Sequence, residues 1–268
     1  MALPVPSSTS TCLVTGASSG IGADIARELA RRGHGVTLVA RREERLRTLA
    51  DELQSAYGIR AEALAGDVGR AEERERIRAR VDELGLTVDV LVNNAGYGSG
   101  GRLQALDPES EKAMVRLNVE ALHDLCVDYV GEMVARGRGA ILNVASVVAF
   151  QPLPRQATYS ATKAFVLSFT EALHADLAGT GVTATALCPG ATRTEFFEVG
   201  GMEADASSAP DFAMMDSPTV ARAGVDAMTS GRRSVVPGVF NQVSAVSGRI
   251  APRRALLPLL NRFYPVGK

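Results

Sequence analysis

The segment Thr15-Gly16-Ala17-Ser18-Ser19-Gly20-Ile21-Gly22 constrains the fold more tightly than any other stretch of the chain. It follows an apolar, β-branched run at 12–15 and opens a helical pattern at 21–32 that Gly33 closes. Glycine at the first position permits a tight turn. At the second it lets the backbone approach a pyrophosphate, and at the third it lets helix and strand pack closely. The helix N-terminus adds free N–H groups and the positive end of the dipole. Placed directly after a strand, the loop predicts a βαβ unit whose first turn cradles phosphate. The same residues also fit G-x-S-x-G, the nucleophile elbow of α/β-hydrolases. That alternative needs an acid and then a histidine later in the chain, and it would place the elbow unusually early, on the first strand. The three histidines are His34, His123 and His174. A P-loop is excluded because no Gly-Lys-Ser/Thr follows.

The rest of the chain alternates in the same way. Strands are predicted at 12–15, 35–40, 60–65, 88–92, 140–145, 182–188 and 234–236. Helices are predicted at 21–32, 43–56, 70–84, 108–135 and 158–178, with a further helix capped by Ser217 and carrying Pro218 at its first position. Near-continuous apolar strands alternating with helices imply a parallel sheet covered on both faces. The expected fold class is α/β: a single-domain doubly wound Rossmann fold with a central parallel sheet of about seven strands. Residues 1–11 read as a flexible tail before one domain at 12–268, within which 194–216 is a substrate-lid segment and 250–268 a C-terminal tail. The stretch 198–210, rich in Gly, Ala and Ser, reads as a mobile loop.

Composition excludes several function classes. Lys and Arg total 29 against 30 Asp and Glu, a net charge of −1 that gives no electrostatic footprint for nucleic acid. The Arg-rich run at 70–80 reads as a solvated helix face. Cys12, Cys126 and Cys188 stand apart in apolar runs, with no Cys/His cluster, so neither disulfides nor a metal site is expected. The N-terminus lacks the features of a signal peptide. No run approaches 18 apolar residues, so no transmembrane segment and a cytoplasmic location are expected. Only Lys112, Lys163 and Lys268 are lysines, so each deserves a check for a role that arginine cannot fill.

About 20 residues past the glycines, an NAD enzyme usually places a carboxylate for the ribose 2′-hydroxyl. Here Ala40 is followed by Arg41 and Arg42, whose forked donors suit a 2′-phosphate. NADP(H) is therefore favoured over NAD(H). The plainer alternative is that both arginines simply start a charged helix with Glu43 and Glu44.

Taken with the motifs that follow in order, these residues resemble the short-chain dehydrogenase/reductase (SDR) family. The spacing Gly16-x3-Gly20-x-Gly22, Asp67 and Val68 after the third strand, and Asn93-Asn94-Ala95-Gly96 after the fourth carry the resemblance. So do Asn118 in the long helix, Ser146 ending the fifth strand, Tyr159-x3-Lys163, and Pro189-Gly190-Ala191-Thr192-Arg193-Thr194 after the sixth. It covers 12–194 strongly and weakens beyond. It implies a catalytic set of Asn118, Ser146, Tyr159 and Lys163. It also implies cofactor contacts from Gly16, Ser18, Ser19, Gly20, Ile21 and Gly22, from Arg41, Arg42, Asp67 and Val68, from Asn94, Ala95 and Gly96, from Tyr159 and Lys163, and from Pro189, Gly190, Thr192 and Thr194. Singly, each residue has a bland reading: Tyr-x3-Lys as a surface helix pair, Ser146 and Asn118 as strand-end or capping residues, Asp67 as an N-cap.

The chemistry agrees with the resemblance. Four-residue spacing puts Tyr159 and Lys163 on one helix face. A lysine ammonium lowers a phenol from its usual pKa near 10, turning it into a usable acid. Ser146 would hold the substrate oxygen, and Asn118 resembles the family's asparagine that holds a water in the proton relay. The expected activity is reduction of a ketone or aldehyde, or the reverse alcohol oxidation, on a medium-sized apolar substrate. The alternative is a catalytically inactive NADP(H)-binding regulatory protein of the same fold. The substrate wall is expected from 147–154, 97–101 and the loop after Thr194 carrying Phe196, Phe197, Met202, Phe212, Met214 and Met215. The tail is expected to pack on the body or a partner subunit, or to touch a membrane surface, with Pro252, Pro258 and Pro265 interrupting any long helix. The resemblance implies a homodimer or homotetramer through the two long helices.

Overall fold

The computed structural model describes residues 3–199 and 214–263. Among them, β1 (Ser10–Thr15), β2 (Val36–Ala40), β3 (Ala61–Ala65), β4 (Thr87–Asn93), β5 (Gly139–Val144), β6 (Val182–Leu187) and the short β9 (Ser234–Val235) form one sheet. A two-residue ladder joins β7 (Thr192–Arg193) to β8 (Met215–Asp216). The large sheet is parallel throughout, in the order β3-β2-β1-β4-β5-β6-β9. The direction of winding reverses between β1 and β4, which opens a crevice at their carboxyl ends.

Central strands are apolar on both faces because both faces are covered. On one side α1 (Gly20–Arg31), α2 (Glu43–Tyr57) and α8 (Ser217–Thr229) bury Ile25, Leu29, Leu46, Leu53 and Val225 against Val14, Leu38 and Leu142. On the other, α3 (Ala71–Glu83), α5 (Leu122–Arg136) and α6 (Ala157–Asp176) bury Ile77, Leu125, Met133 and Val166 against Leu13, Leu91 and Ile141. The edge strand β3 is only partly buried and carries Glu62, which suits an unpaired edge. Gly58 ends α2 in the left-handed conformation at φ 64°.

Several boundaries differ from the sequence reading for physical reasons. β1 starts at Ser10, so Ser10 and Thr11 are buried strand residues, Thr11 bonding Thr37 across the sheet. The helix expected at 108–135 is α4 (Pro108–Val115) and α5 joined by a π-helical stretch, Arg116–Ala121. The cap of α8 is Asp216, whose carboxylate accepts from Thr219 N–H at 2.8 Å, so Ser217 is the first helical residue and Pro218 the second. The C-terminal segment forms α9 (Val239–Ile250) and α10 (Arg253–Phe263); Pro258 lies inside α10 rather than ending it. The loop expected at 198–210 lies outside the described residues from position 200, although α7 (Phe196–Val199) takes in its start.

Glu28 ties α1 together and links it to α8. Its carboxylate accepts from Arg31 at 2.7 Å and Arg32 at 2.6 Å, and Arg32 also pairs with Asp226. The Arg31 and Arg32 hydrogen bonds hold the carboxyl at about 2, below its usual 4.5. The stability this supplies is complete above pH 4.5 and is lost as pH falls through about 2. Glu28→Gln is expected to cost about 1–2 kcal/mol at neutral pH and to flatten the acid limb of stability in urea titrations. An unchanged acid limb in the variant would contradict this.

Candidate active site

The crevice at the β1/β4 reversal is a cleft of about 800 Å³. Its first wall is the glycine loop. Gly16 and Gly20 sit at φ 66° and 55°, where a side chain is strained. Thr15 and Asn94 fasten the loop to the end of β4. Asn94 Nδ2 donates to the carbonyls of Thr15 at 3.0 Å and Gly16 at 3.2 Å. Thr15 Oγ1 accepts from the backbone N–H groups of Asn94 and Ala95 at 3.0 and 3.1 Å. A Cβ on Gly16 would lie 2.7 Å from Asn94 Nδ2, and one on Gly22 would lie 2.4 Å from the same atom. Gly22 is thus a packing residue behind the cleft, whereas Gly16, Ser18, Ser19, Gly20 and Ile21 line it. Ser19 precedes α1 without a side-chain cap bond, which leaves the first N–H groups of the helix for a ligand.

Beyond the loop lie Arg41, Arg42, Asp67 and Val68. Arg42 donates to Ser18 Oγ at 2.9 Å and Ser19 Oγ at 2.6 Å, so this half-exposed side chain is held against the glycine loop. Asp67 accepts from Gly69 N–H at 3.0 Å and caps a turn, not a helix. Free helix-end donors, two arginines and glycine-only backbone at one end of the cleft form a donor set that fits a phosphate-bearing dinucleotide.

The other end holds Ser146, Tyr159 and Lys163, each less than a tenth exposed. The hydroxyl of Ser146, two residues past β5, accepts from Val148 N–H at 3.3 Å. One turn apart on α6, Tyr159 and Lys163 face the cleft together, with Nζ 5.8 Å from the ring centre. Lys163 donates to Val144 O at 2.8 Å. Burial pulls Lys163 down to about 8. Burial pushes Tyr159 up to about 12, eased by its hydrogen bond with Ser146. The lowering of the phenol by Lys163, expected from sequence, does not figure among these influences, of which burial is the larger. Ala95, Gly96, Asn94, Pro189, Gly190, Thr192 and Thr194 complete the walls.

Asn118 does not line the cleft. It is 1% exposed, in the π-helical stretch, and its amide is spent within the protein. Nδ2 donates to Tyr97 O at 2.9 Å and Thr162 Oγ1 at 3.1 Å, while Oδ1 accepts from Tyr97 N–H at 3.2 Å. The wider turn is what brings Asn118 against both the 97 backbone and α6.

Tyr97, Val147, Val148, Gln151 and Leu153 lie in the cleft as expected, but Gly101 and Pro154 line a separate cavity of about 450 Å³. Phe196 and Phe197 also line the cleft, and Phe196 lies 5.5 Å from the Tyr159 ring. Met202 and Phe212 lie outside the described residues. Sequence reasoning placed the loop after Thr194 in the wall without singling out Glu195, and it missed the contributions of α9 and α10, namely Phe240, Asn241, Ser244 and Leu260. No local motif marks these residues; only the tertiary fold brings them in. None of the three histidines lines the cleft, so the hydrolase reading of Gly16–Gly20 lacks its base. Among the described residues there is no group of three metal-ligating side chains, and no helix is long and apolar enough to cross a membrane.

A family model described as short chain dehydrogenase matches residues 10–201. A putative ketoacyl reductase of Streptomyces coelicolor is 43% identical over 184 residues, 68% of this chain and 70% of the relative. Among solved structures, a short-chain dehydrogenase from Sphingobium yanoikuyae in complex with NADPH superposes with a TM-score of 0.81. It is 34% identical, and the match covers 95% of this chain and 96% of that one. A bulky-bulky ketone specific alcohol dehydrogenase from Comamonas testosteroni gives a TM-score of 0.75 at 28% identity, covering 92% and 93%.

The packing around the loop predicts opposite outcomes for two glycines. Gly22→Ala is expected to cost about 1–3 kcal/mol in urea unfolding, because its Cβ meets Asn94 and the Gly16 carbonyl. Gly131→Ala, on α5 with nothing within 4 Å, is expected to gain about 0.5–1 kcal/mol. Equal effects at both positions would contradict the packing described.

Proposed function

The chain belongs to the short-chain dehydrogenase family, and from that premise we propose that it is an NADP(H)-dependent oxidoreductase interconverting a ketone or aldehyde and the matching alcohol. The observation that carries the reading is a single cleft with a phosphate cradle and Arg42 at one end and buried Tyr159 and Lys163 at the other. A bound nicotinamide would supply or accept the hydride at the carbonyl carbon. The Tyr159 hydroxyl donates its proton to the substrate oxygen, and Ser146 holds that oxygen as charge develops. A phenol pushed up to about 12 keeps its proton at neutral pH, which suits the reductive direction. Lys163 holds the cofactor ribose and keeps an ammonium beside the phenol. Asn118 acts as a positioning residue, fixing the backbone at Tyr97 to α6. In this reading Gly16, Ser18, Ser19, Gly20 and Ile21 hold the pyrophosphate, Arg41 and Arg42 the 2′-phosphate, and Asp67 and Val68 the adenine. The segment 189–194 faces the nicotinamide.

The apolar wall of Val148, Leu153, Phe196, Phe197, Phe240 and Leu260 suits a bulky apolar ketone, and the resemblance to the ketone-specific enzyme supports that class. The NADPH complex of the Sphingobium relative supports the cofactor. The same reading includes a cytoplasmic homo-oligomer: Val127 and Val134, seven residues apart on α5, and Phe165 on α6 are exposed apolar positions on the two long helices.

Screening NADPH oxidation over bulky ketones, aldehydes and acyl thioesters tests the proposal. Tyr159→Phe is expected to keep NADPH binding and lose at least about 10²-fold in turnover. Substantial turnover in that variant would overturn the role of Tyr159, and tight NADPH binding without turnover of any substrate would make the protein a cofactor-binding regulator. The rate of reduction is expected to fall as pH rises through about 8, where Lys163 loses its proton. Lys163→Arg should abolish that limb together with most activity, since a guanidinium does not fit a site 5% exposed. A profile flat through pH 8 would remove Lys163 as the titrating group.

A further inference from the structure

We propose that Glu195 is a competitor, carried by the chain itself, for the 2′-phosphate of the cofactor, and that NADP(H) must displace it where NAD(H) need not. The inference rests on the NADP(H) reading above. Glu195 directly follows Thr194 and lines the cleft. Its two oxygens are shared between two guanidiniums: Arg42 Nη1 donates to Oε2 at 2.7 Å and Arg45 Nη1 to Oε1 at 2.7 Å. Arg42 at the start of α2 and Arg45 in its first turn are 150 residues or more from Glu195 in sequence, so the contact joins two walls of the cleft. The remaining donors of Arg42 go to Ser18 and Ser19 of the phosphate loop. Two guanidiniums converging on an oxyanion, one of them braced by two loop hydroxyls, form an arrangement a phosphate would use.

The charges fit a competition that phosphate wins at a cost. Arg42 and Arg45 pull the Glu195 carboxyl down to about 2, so it is ionised throughout the useful pH range. Two guanidiniums facing one carboxylate leave a unit of positive charge. A phosphate monoester carrying about −1.5 to −2 neutralises the pair more fully than a carboxylate does. The three side chains are 38–49% exposed, so the clasp is weak enough to open. NAD(H) has no group for these arginines and leaves the clasp closed.

Displacement has a consequence at the far end. The next residue, Phe196, packs its ring 5.5 Å from Tyr159. Releasing Glu195 removes one of the contacts that hold this backbone and leaves the Phe196 N–H bond to Thr194 Oγ1 at 3.3 Å. The 2′-phosphate would then bear on access to Tyr159, although it never approaches that residue.

The test uses 2′-AMP and 5′-AMP as probes, titrated calorimetrically into wild type and Glu195→Gln, with thermal melting to confirm that both are folded. Removing the competitor is expected to tighten 2′-AMP by about threefold to tenfold and to leave 5′-AMP unchanged. The chain has no tryptophan, so Phe196→Trp gives a single fluorescent reporter. Its emission should shift with 2′-AMP but not with 5′-AMP, and the 2′-AMP shift should vanish when Glu195→Gln is added. If wild type prefers 2′-AMP but Glu195→Gln binds it equally or more weakly, the clasp is overturned and the cofactor reading stands. If neither protein prefers 2′-AMP to 5′-AMP, the cofactor reading fails and the clasp with it.

Discussion

The side chain of Asn94 holds the two halves of this molecule in register at the head of the cleft. Its amide bonds the carbonyls of Thr15 and Gly16, so the end of β4 fixes the end of β1 and the turn that follows. The same nitrogen occupies the space that a Cβ on Gly16 or Gly22 would need. Two glycines, a threonine hydroxyl and one asparagine therefore form a single packing unit. The cleft opens there because the parallel sheet reverses its winding at that seam. The positions of Arg42 on one side and Tyr159 on the other depend on the seam staying closed.

Burial sets the chemistry at the far end. Tyr159 and Lys163 are both buried, and burial moves them in opposite directions, the phenol up and the ammonium down. Desolvation disfavours whichever form is charged. The phenol is thereby held protonated and the lysine brought within reach of neutral pH. The scarcity of lysine sharpens this. Lys112 pairs with Glu109 on the surface, whereas Lys163 fits a buried site where its slender stem and point charge matter.

The fold was legible because alternation between apolar strands and helices has few solutions once both faces of a parallel sheet must be covered. The cleft residues were legible where a motif is local, as in the glycine loop and Tyr159-x3-Lys163. Features that depend on tertiary geometry were not. Asp216 takes the capping role expected of Ser217 because its carboxylate reaches the Thr219 N–H. The π-helical stretch around Asn118 leaves no periodic signature, and it puts the residue behind the cleft instead of in it. Glu195 meets Arg42 and Arg45 only through the tertiary fold, 150 residues or more away in sequence. Asn241, beside Gly190, comes from a C-terminal segment in which no helix at 239–250 was expected.

Isotope transfer tests the central reading most directly. Wild-type protein would be incubated with a bulky aliphatic ketone and NADPH carrying deuterium on the transferred position of its nicotinamide, and the product alcohol analysed by mass spectrometry. Hydride transfer in a cleft that delivers only the proton from Tyr159 predicts one deuterium on the carbinol carbon. In heavy water with unlabelled NADPH, the label should appear on oxygen alone and wash out. An alcohol product with no cofactor-derived deuterium, or with solvent deuterium fixed on the carbinol carbon, would contradict that chemistry.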